Sequence, residues 1–263
     1  MRENSNDGNF DARARCLEDR VYGTDKGHIR LALIQEDLRD FLLAFPGGGL
    51  KVLDAGGGTG RFARCCARLG HRVILCDLSA EMLEMAAVAN KDAAPVGEIT
   101  LLRLDLQDPA IRDHGPFDLV ALHGVAEWTA APEALIRHAC TLVRPGGMLS
   151  LLVFNTDKLL LKEGINGMLA AAGPRRKQGG GLTPPGGLPP RLIRGLLAEQ
   201  GGILHLQSGI RIFHGFFREI APALTRDQWI AQERLHYRQE PFAGLGEHSH
   251  FLWQRPPSTG LSQ

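Results

Sequence analysis

The chain has 263 residues and is 44% hydrophobic, enough to bury one large core with at most a small appended lobe. Its 30 basic and 29 acidic residues leave a net charge of +1, which excludes wholesale coating of nucleic acid, so any RNA contact must come from a local basic patch. No apolar run approaches the ~18 residues needed to span a bilayer, and the polar start MRENSNDGNF lacks a signal-peptide core, so a cytoplasmic location is expected. The five cysteines (Cys16, Cys65, Cys66, Cys76 and Cys140) have no metal-ligand spacing and read as reduced thiols, with no metal site expected.

In chain order, residues 1–20 are mostly polar and predict a mobile start to a helical cap that reaches residue 46. Tyr22-Gly23-Thr24 makes a turn. Residues 26–45 then show helical periodicity in Ile29, Leu33, Ile34, Leu38, Phe41 and Leu42, ended by Pro46 and the glycines after it. Arg30, on that helix, reads from its residue type alone as a solvated charge. Lys51–Ala55 is an apolar run ending in an acid, the pattern of a buried parallel strand, and Gly56-Gly57-Gly58-Thr59-Gly60 follows before a helix. The missing side chains let the backbone of such a turn approach a ligand, and the helix start adds free N–H groups. A nucleoside-containing cofactor suits this turn; a βα turn without a ligand is the plain alternative. A dinucleotide fingerprint starting at Gly56 needs glycine where the chain has Arg61, which disfavours a nicotinamide or flavin oxidoreductase. The frame that fits is D-x-G-x-G-x-G, from Asp54 to Gly60.

Residues 61–69 form the first crossover helix, stopped by Gly70. The second strand, 72–76, ends at Asp77. That is about 20 residues past the first glycine, the offset at which an acid at a strand tip accepts hydrogen bonds from ribose hydroxyls. Ser79 is a suitable N-cap for a helix through Asn90. The third strand, 99–104, runs into Asp105-Leu106-Gln107-Asp108, which either lies beside an adenine or caps a helix before Pro109. The fourth, 117–122, delivers His123 to the carboxyl edge, where open α/β sheets bind ligands; His123 is a ligand contact or a loop histidine packed by Trp128. A helix over 132–143 and a strand over 148–154 complete five alternations, which predict an α/β doubly wound parallel sheet. Residues 173–190 are too rich in glycine and proline for a packed element, so a flexible insertion is expected. Its Arg175, Arg176 and Lys177 are a basic cluster or simply solvated. Beyond it come a helix over 190–200 and two short apolar stretches in 202–213. A long, mostly helical segment over 216–237 follows, bent or interrupted by Pro222, and then a last strand over 247–254.

The glycine frame resembles the first motif of class I S-adenosylmethionine (SAM) methyltransferases. YGTDKGHIR, DAGGGTG, VILCDLSAEM, LQD, HGVAEW, LVRPGGMLSLLVFN, GIRIFHGFFRE and QEPF together resemble the bacterial tRNA 5-carboxymethoxyuridine methyltransferases, over nearly the whole chain. The resemblance implies a Rossmann-like seven-stranded sheet with helices on both faces, in a single domain spanning 1–263, with two late strands joined antiparallel. It implies SAM as cofactor, contacted by Arg30, Gly56, Gly57, Asp77, Gln107, Asp108 and His123, and a tRNA anticodon stem-loop as partner. One departure is the basic insertion, where the relatives carry a longer lysine run.

The implied reaction moves the SAM methyl group to the carboxylate of a wobble 5-carboxymethoxyuridine, giving a methyl ester. A carboxylate with a pKa of ~4 is already ionised at neutral pH, so no general base is expected. Catalysis then reduces to alignment and removal of water. Arg211 is the candidate for orienting that carboxylate through its fork, the alternative being a solvent-facing strand residue. Trp128 and Tyr22 are candidate aromatic faces for an unpaired base, or else packing residues. Two other readings remain: a SAM-dependent methyltransferase of a small molecule, and a non-catalytic SAM-binding regulator.

Overall fold

The computed structural model describes residues 11, 14–45, 49–93, 95–171, 184, 186–217 and 223–258. A short helix α1 (Ala14–Leu17) runs through a wide helical turn at Glu18–Tyr22 into α2 (Asp25–Leu43). Then follow β1 (Lys51–Ala55), α3 (Arg61–Arg68), β2 (Arg72–Asp77), α4 (Ala80–Ala93), β3 (Ile99–Arg103), β4 (Phe117–His123), α5 (Pro132–Leu142) and β5 (Val143–Phe154). The last third holds α6 (Thr156–Ala171), α7 (Pro190–Glu199), β6 (Ile203–Ile210), α8 (His214–Phe217), α9 (Arg226–Arg234) and β7 (His248–Gln254).

The strands form one seven-stranded sheet in the order β3-β2-β1-β4-β5-β7-β6. β1 to β5 pair in parallel, and β7 runs antiparallel to both of its neighbours. Asp54 pairs with Leu75 and Ala55 with Cys76, so β1 and β2 end together, and the glycine turn emerges beside Asp77. Alternate strand residues feed two apolar layers. Val52, Val73, Leu75 and Ala121 pack with Ile29, Leu33 and Leu38 of α2, while Leu53, Ala55, Val120 and Leu122 pack with α5 and α7. Burial on both faces explains why these strands are continuous apolar runs.

Two expectations are revised. Arg144-Pro145-Gly146-Gly147 does not precede the fifth strand but lies inside it, because α5 stops at Leu142 and Val143 already pairs with Phe117. β6 is one strand with a register shift between Leu204 and Leu206, not two short stretches. The segment over 216–237, expected to be mostly helical and bent or interrupted, holds the end of α8 and the whole of α9. α9 starts afresh at Thr225, whose hydroxyl accepts from the Gln228 amide (3.3 Å) while Gln228 Oε1 accepts from the Thr225 amide (2.8 Å), a capping box. Arg218 and Pro222 lie outside the described residues, as do Arg175, Arg176, Lys177 and most of the stretch 173–190.

Past β6 the chain turns through Arg211, the one non-glycine residue with positive φ (63°) among the described residues. A left-handed arginine costs about 1–2 kcal/mol and persists only where its surroundings hold it. Here Glu233 of α9, fully buried, accepts from the amides of Ile212 (2.7 Å), Phe213 (3.0 Å) and His214 (2.9 Å). Lys158 Nζ donates to the Ile212 carbonyl (3.0 Å). Glu233→Gln turns an amide N–H toward those donors. We expect it to lower the unfolding free energy by about 1–3 kcal/mol, measured from the urea midpoint; an unchanged midpoint would mean that the carboxylate does not anchor the turn.

Candidate active site

The site begins where backbone replaces side chains. Gly56 (φ 66°) and Gly58 (φ 53°) are both left-handed, but for different reasons. A Cβ on Gly56 would lie 2.5 Å from Val125 Cγ2, so the loop after β4 excludes it. A Cβ on Gly58 would meet only Met82 Sδ at 3.7 Å and the Tyr22 hydroxyl at 3.9 Å, so this glycine presents open backbone. The amides of Gly56 and Gly57 donate to the Cys76 carbonyl (2.8 and 3.2 Å), tying the turn to the end of β2. The Gly58 amide donates to Asp77 Oδ2 (2.8 Å) and the Ser79 amide to Oδ1 (2.9 Å). Burial raises the Asp77 pKa above the usual carboxylate value, and these N–H donors oppose the rise. Ser79 caps α4 by accepting from the Met82 amide (3.2 Å), and its hydroxyl donates to Asp11 (2.7 Å).

Two clefts flank this turn. The larger is lined by Asp77, Gln107 and Trp128, with apolar walls from Leu104, Leu106 and Leu135. The smaller is lined by Arg30, Asp54, Gly57, Phe62 and His123. They share Tyr22 and Gly56, which line both. The Arg30 guanidinium lies over the Tyr22 ring, 5.1 Å from its centroid. Arg61, also on the smaller cleft's wall, pairs with Glu18. Glu18 in turn accepts from the Thr59 hydroxyl (2.9 Å), fastening the segment before α2 onto the turn. The pKa of His123 is pushed well below its ordinary value, chiefly by burial, so its imidazole is neutral.

Most of the residues singled out in the sequence therefore converge. Arg30, Gly56, Gly57, Asp77, Gln107 and His123 all line one cleft or the other. Asp108 lines neither: it is exposed, and its Oδ1 accepts from the Ala110 amide (2.9 Å) at the head of the turn Pro109–His114, the capping role. Arg211 also lines neither cleft. It does not face solvent, being 5% exposed with Nη2 3.0 Å from Glu247 Oε2. Trp128 and Tyr22 stand on the walls shared with Asp77 and Arg30.

Two buried acids add chemistry that the residue pattern does not announce. Asp54 accepts from the Ala63 amide (3.1 Å), and Glu127 Oε1 accepts from the Phe154 amide (3.1 Å), while Glu127 Oε2 has no hydrogen-bond partner among the described residues. Burial pushes each pKa up to about 7. Asp54 heads the glycine frame and is legible there, whereas Glu127 is only one letter of HGVAEW. A buried carboxyl that holds its proton more tightly when folded opposes folding as pH rises between the unfolded value near 4.5 and about 7. Glu127→Gln should therefore flatten the fall of stability across that window. Without added ligand it should leave the protein more stable than wild type at pH 8, by on the order of 3 kcal/mol; parallel stability curves for the two proteins would show that Glu127 does not titrate there.

The comparisons agree with this geometry. A family profile described as a methyltransferase domain matches residues 53–151, the stretch from β1 into β5. The fold is shared with magnesium protoporphyrin IX methyltransferase from Synechocystis PCC 6803 with bound SAH, at a TM-score of 0.64 and 18% identity over 94% of this chain and 96% of that one. The chain is a SAM-dependent methyltransferase of class I fold. It is 32% identical over 113 residues to a ubiquinone biosynthesis O-methyltransferase of Xanthomonas campestris, covering 43% of this chain and 46% of the relative. It is 35% identical over 257 residues to the tRNA 5-carboxymethoxyuridine methyltransferase of Escherichia coli K12, covering 96% of this chain and 98% of the relative, and it belongs to that family.

Proposed function

We propose that this protein methylates the carboxylate of 5-carboxymethoxyuridine at the wobble position of tRNA, as one catalytic unit spanning 1–263 with the described part of its N-terminal segment capping the clefts. The observation that carries this reading is the end-to-end match to the Escherichia coli enzyme. That match extends past the SAM-binding strands to the Arg211 turn and β7, whereas the match to the ubiquinone-pathway relative covers less than half of the chain.

Bound SAM supplies a methyl group made electrophilic by its sulfonium. Asp77 would accept from the ribose hydroxyls, with Leu104, Leu106 and Leu135 covering the adenine and Gln107 at its edge. Arg30 would pair with the carboxylate of the methionyl end, Gly56 and Gly57 would pass beneath it, and neutral His123 would add no positive charge to repel the sulfonium. Asp108 is left to its cap. The substrate carboxylate arrives ionised, so no side chain is needed to remove a proton. Glu127, largely protonated below about pH 7, spares an anionic substrate a second negative charge. Arg211, held by Glu247 at the carboxyl edge of the sheet, is the proposed fork for the substrate carboxylate. Arg175, Arg176 and Lys177 would meet the phosphate backbone of the anticodon stem-loop, with Trp128 or Tyr22 left as a stacking face where the cofactor does not cover it.

The test is incubation with SAM and tRNA bearing 5-carboxymethoxyuridine, followed by mass spectrometry of the nucleosides. A methyl ester is expected, with no product on tRNA lacking the carboxylate; labelling of a small-molecule pool but not of tRNA would favour the metabolite reading. Arg211→Ala should raise the KM for tRNA by roughly tenfold or more while leaving affinity for S-adenosylhomocysteine unchanged. An unchanged KM would remove Arg211 from the substrate side.

A further inference from the structure

Behind His123 a file of polar side chains crosses the apolar layer under α2. His123 Nε2 lies 2.8 Å from Ser150 Oγ, which lies 2.8 Å from His250 Nε2, and His250 Nδ1 lies 2.7 Å from Asp37 Oδ2. The Ser208 hydroxyl donates to the same Asp37 oxygen (2.5 Å), and Arg238 Nε donates to Oδ1 (2.8 Å). Ser150, Ser208 and His250 are fully buried, and Asp37 is 8% exposed. Register explains the meeting. Ala121 pairs with Ser150 and His123 with Leu152, while Leu152 pairs with His250, so His123, Ser150 and His250 share the sheet face on which α2 packs. Asp37 stands two turns beyond Arg30 on that helix. Of this file only His123 lines a cleft. Apolar side chains would fill the layer at less desolvation cost, so the file calls for a role beyond packing.

Its hydrogen bonds have a direction. Asp37 stays ionised: although burial raises its pKa, bonds from His250 and Ser208 and the charge of Arg238 bring it below the usual value. An ionised carboxylate only accepts, so His250 Nδ1 must donate to it. In the order Asp37–His250–Ser150, with Nδ1–H turned to the carboxylate, Nε2 is the acceptor for the Ser150 hydroxyl. That hydroxyl has one proton, so its oxygen accepts from His123 Nε2–H. The neutral His123 ring is left with its lone pair on Nδ1. We propose that Asp37 is a positioning residue: through His250 and Ser150 it fixes the tautomer of His123, so that the cleft-lining imidazole offers Nδ1 as a hydrogen-bond acceptor for the ammonium group of SAM. This rests on the SAM site and not on the identity of the methyl acceptor.

The test uses full-length protein labelled with 15N-histidine and titrated with S-adenosylhomocysteine, so failure of the tRNA assay and failure of this relay are read separately. Wild-type His123 is expected as the Nε2–H tautomer. Asp37→Asn places an amide donor against His250 and reverses every bond in the file, so His123 should switch to Nδ1–H and S-adenosylhomocysteine should bind roughly ten- to a hundredfold more weakly. Ser150→Ala leaves the Asp37–His250 bond intact but cuts the file: it should release His123 into a mixture of tautomers, weaken binding, and abolish any further effect of Asp37→Asn. The relay is overturned if wild-type His123 is already Nδ1–H, if Asp37→Asn lowers stability with the His123 signal unmoved, or if its effect on affinity persists in the Ser150→Ala background. Should Asp37→Asn fail to fold, Ser150→Ala decides, and an unaltered tautomer with unaltered affinity overturns the proposal.

Discussion

The Asp77 carboxylate is where four local features of this chain meet. One oxygen accepts from the Gly58 amide and the other from the Ser79 amide, so the glycine turn after β1 and the start of α4 both close on the end of β2. Ser79 reaches from there to Asp11, and Thr59 and Arg61 reach to Glu18, which draws the N-terminal segment over the same point. Burying an acid is unfavourable unless donors surround it. Backbone donors satisfy part of its capacity, and Asp77 lines the larger cleft. A fold that spends buried backbone amides on holding a carboxylate at the edge of an apolar slot is suited to a ribose.

The charges around the two clefts follow a common logic. Of the two arginines lining the smaller cleft, Arg61 is committed to Glu18 and Arg30 lies over the Tyr22 ring. His123 is held neutral, and His248, packed edge-on against Phe154, is pushed down to about 3 by burial and by Arg30. Glu127 and Asp54 keep their protons to about pH 7. Burial thus removes charge from four ionisable groups, which suits the proposed transfer between a cation and an anion, in which extra charge of either sign would be felt strongly in a low-dielectric site.

Legibility in the sequence tracks how local each feature is. The parallel strands are readable because burial on both faces makes each a short apolar run bounded by glycine, and Asp77 is readable because one crossover helix fixes its distance from the turn. Asp108 is ambiguous because an acid before Pro109 caps a turn as readily as it meets an adenine; the geometry favours the cap. The Thr225–Gln228 capping box is a local signal for the start of α9, just past the bend or interruption expected at Pro222. The conformation of Arg211 depends on Glu233, and the hydrogen-bonded file joins Asp37 to His250 across 213 positions. No local pattern carries contacts of that span; they follow from strand register and from the docking of α2.

The claim on which the account turns is that the Asp77 carboxylate, presented by the glycine turn, holds the ribose of SAM. Calorimetric titration of S-adenosylhomocysteine into the wild type and into Asp77→Ala tests it directly. The account predicts one ligand per chain for the wild type and binding weakened by roughly a hundredfold or more in a variant that still unfolds cooperatively. Equal affinity in the two proteins would contradict it.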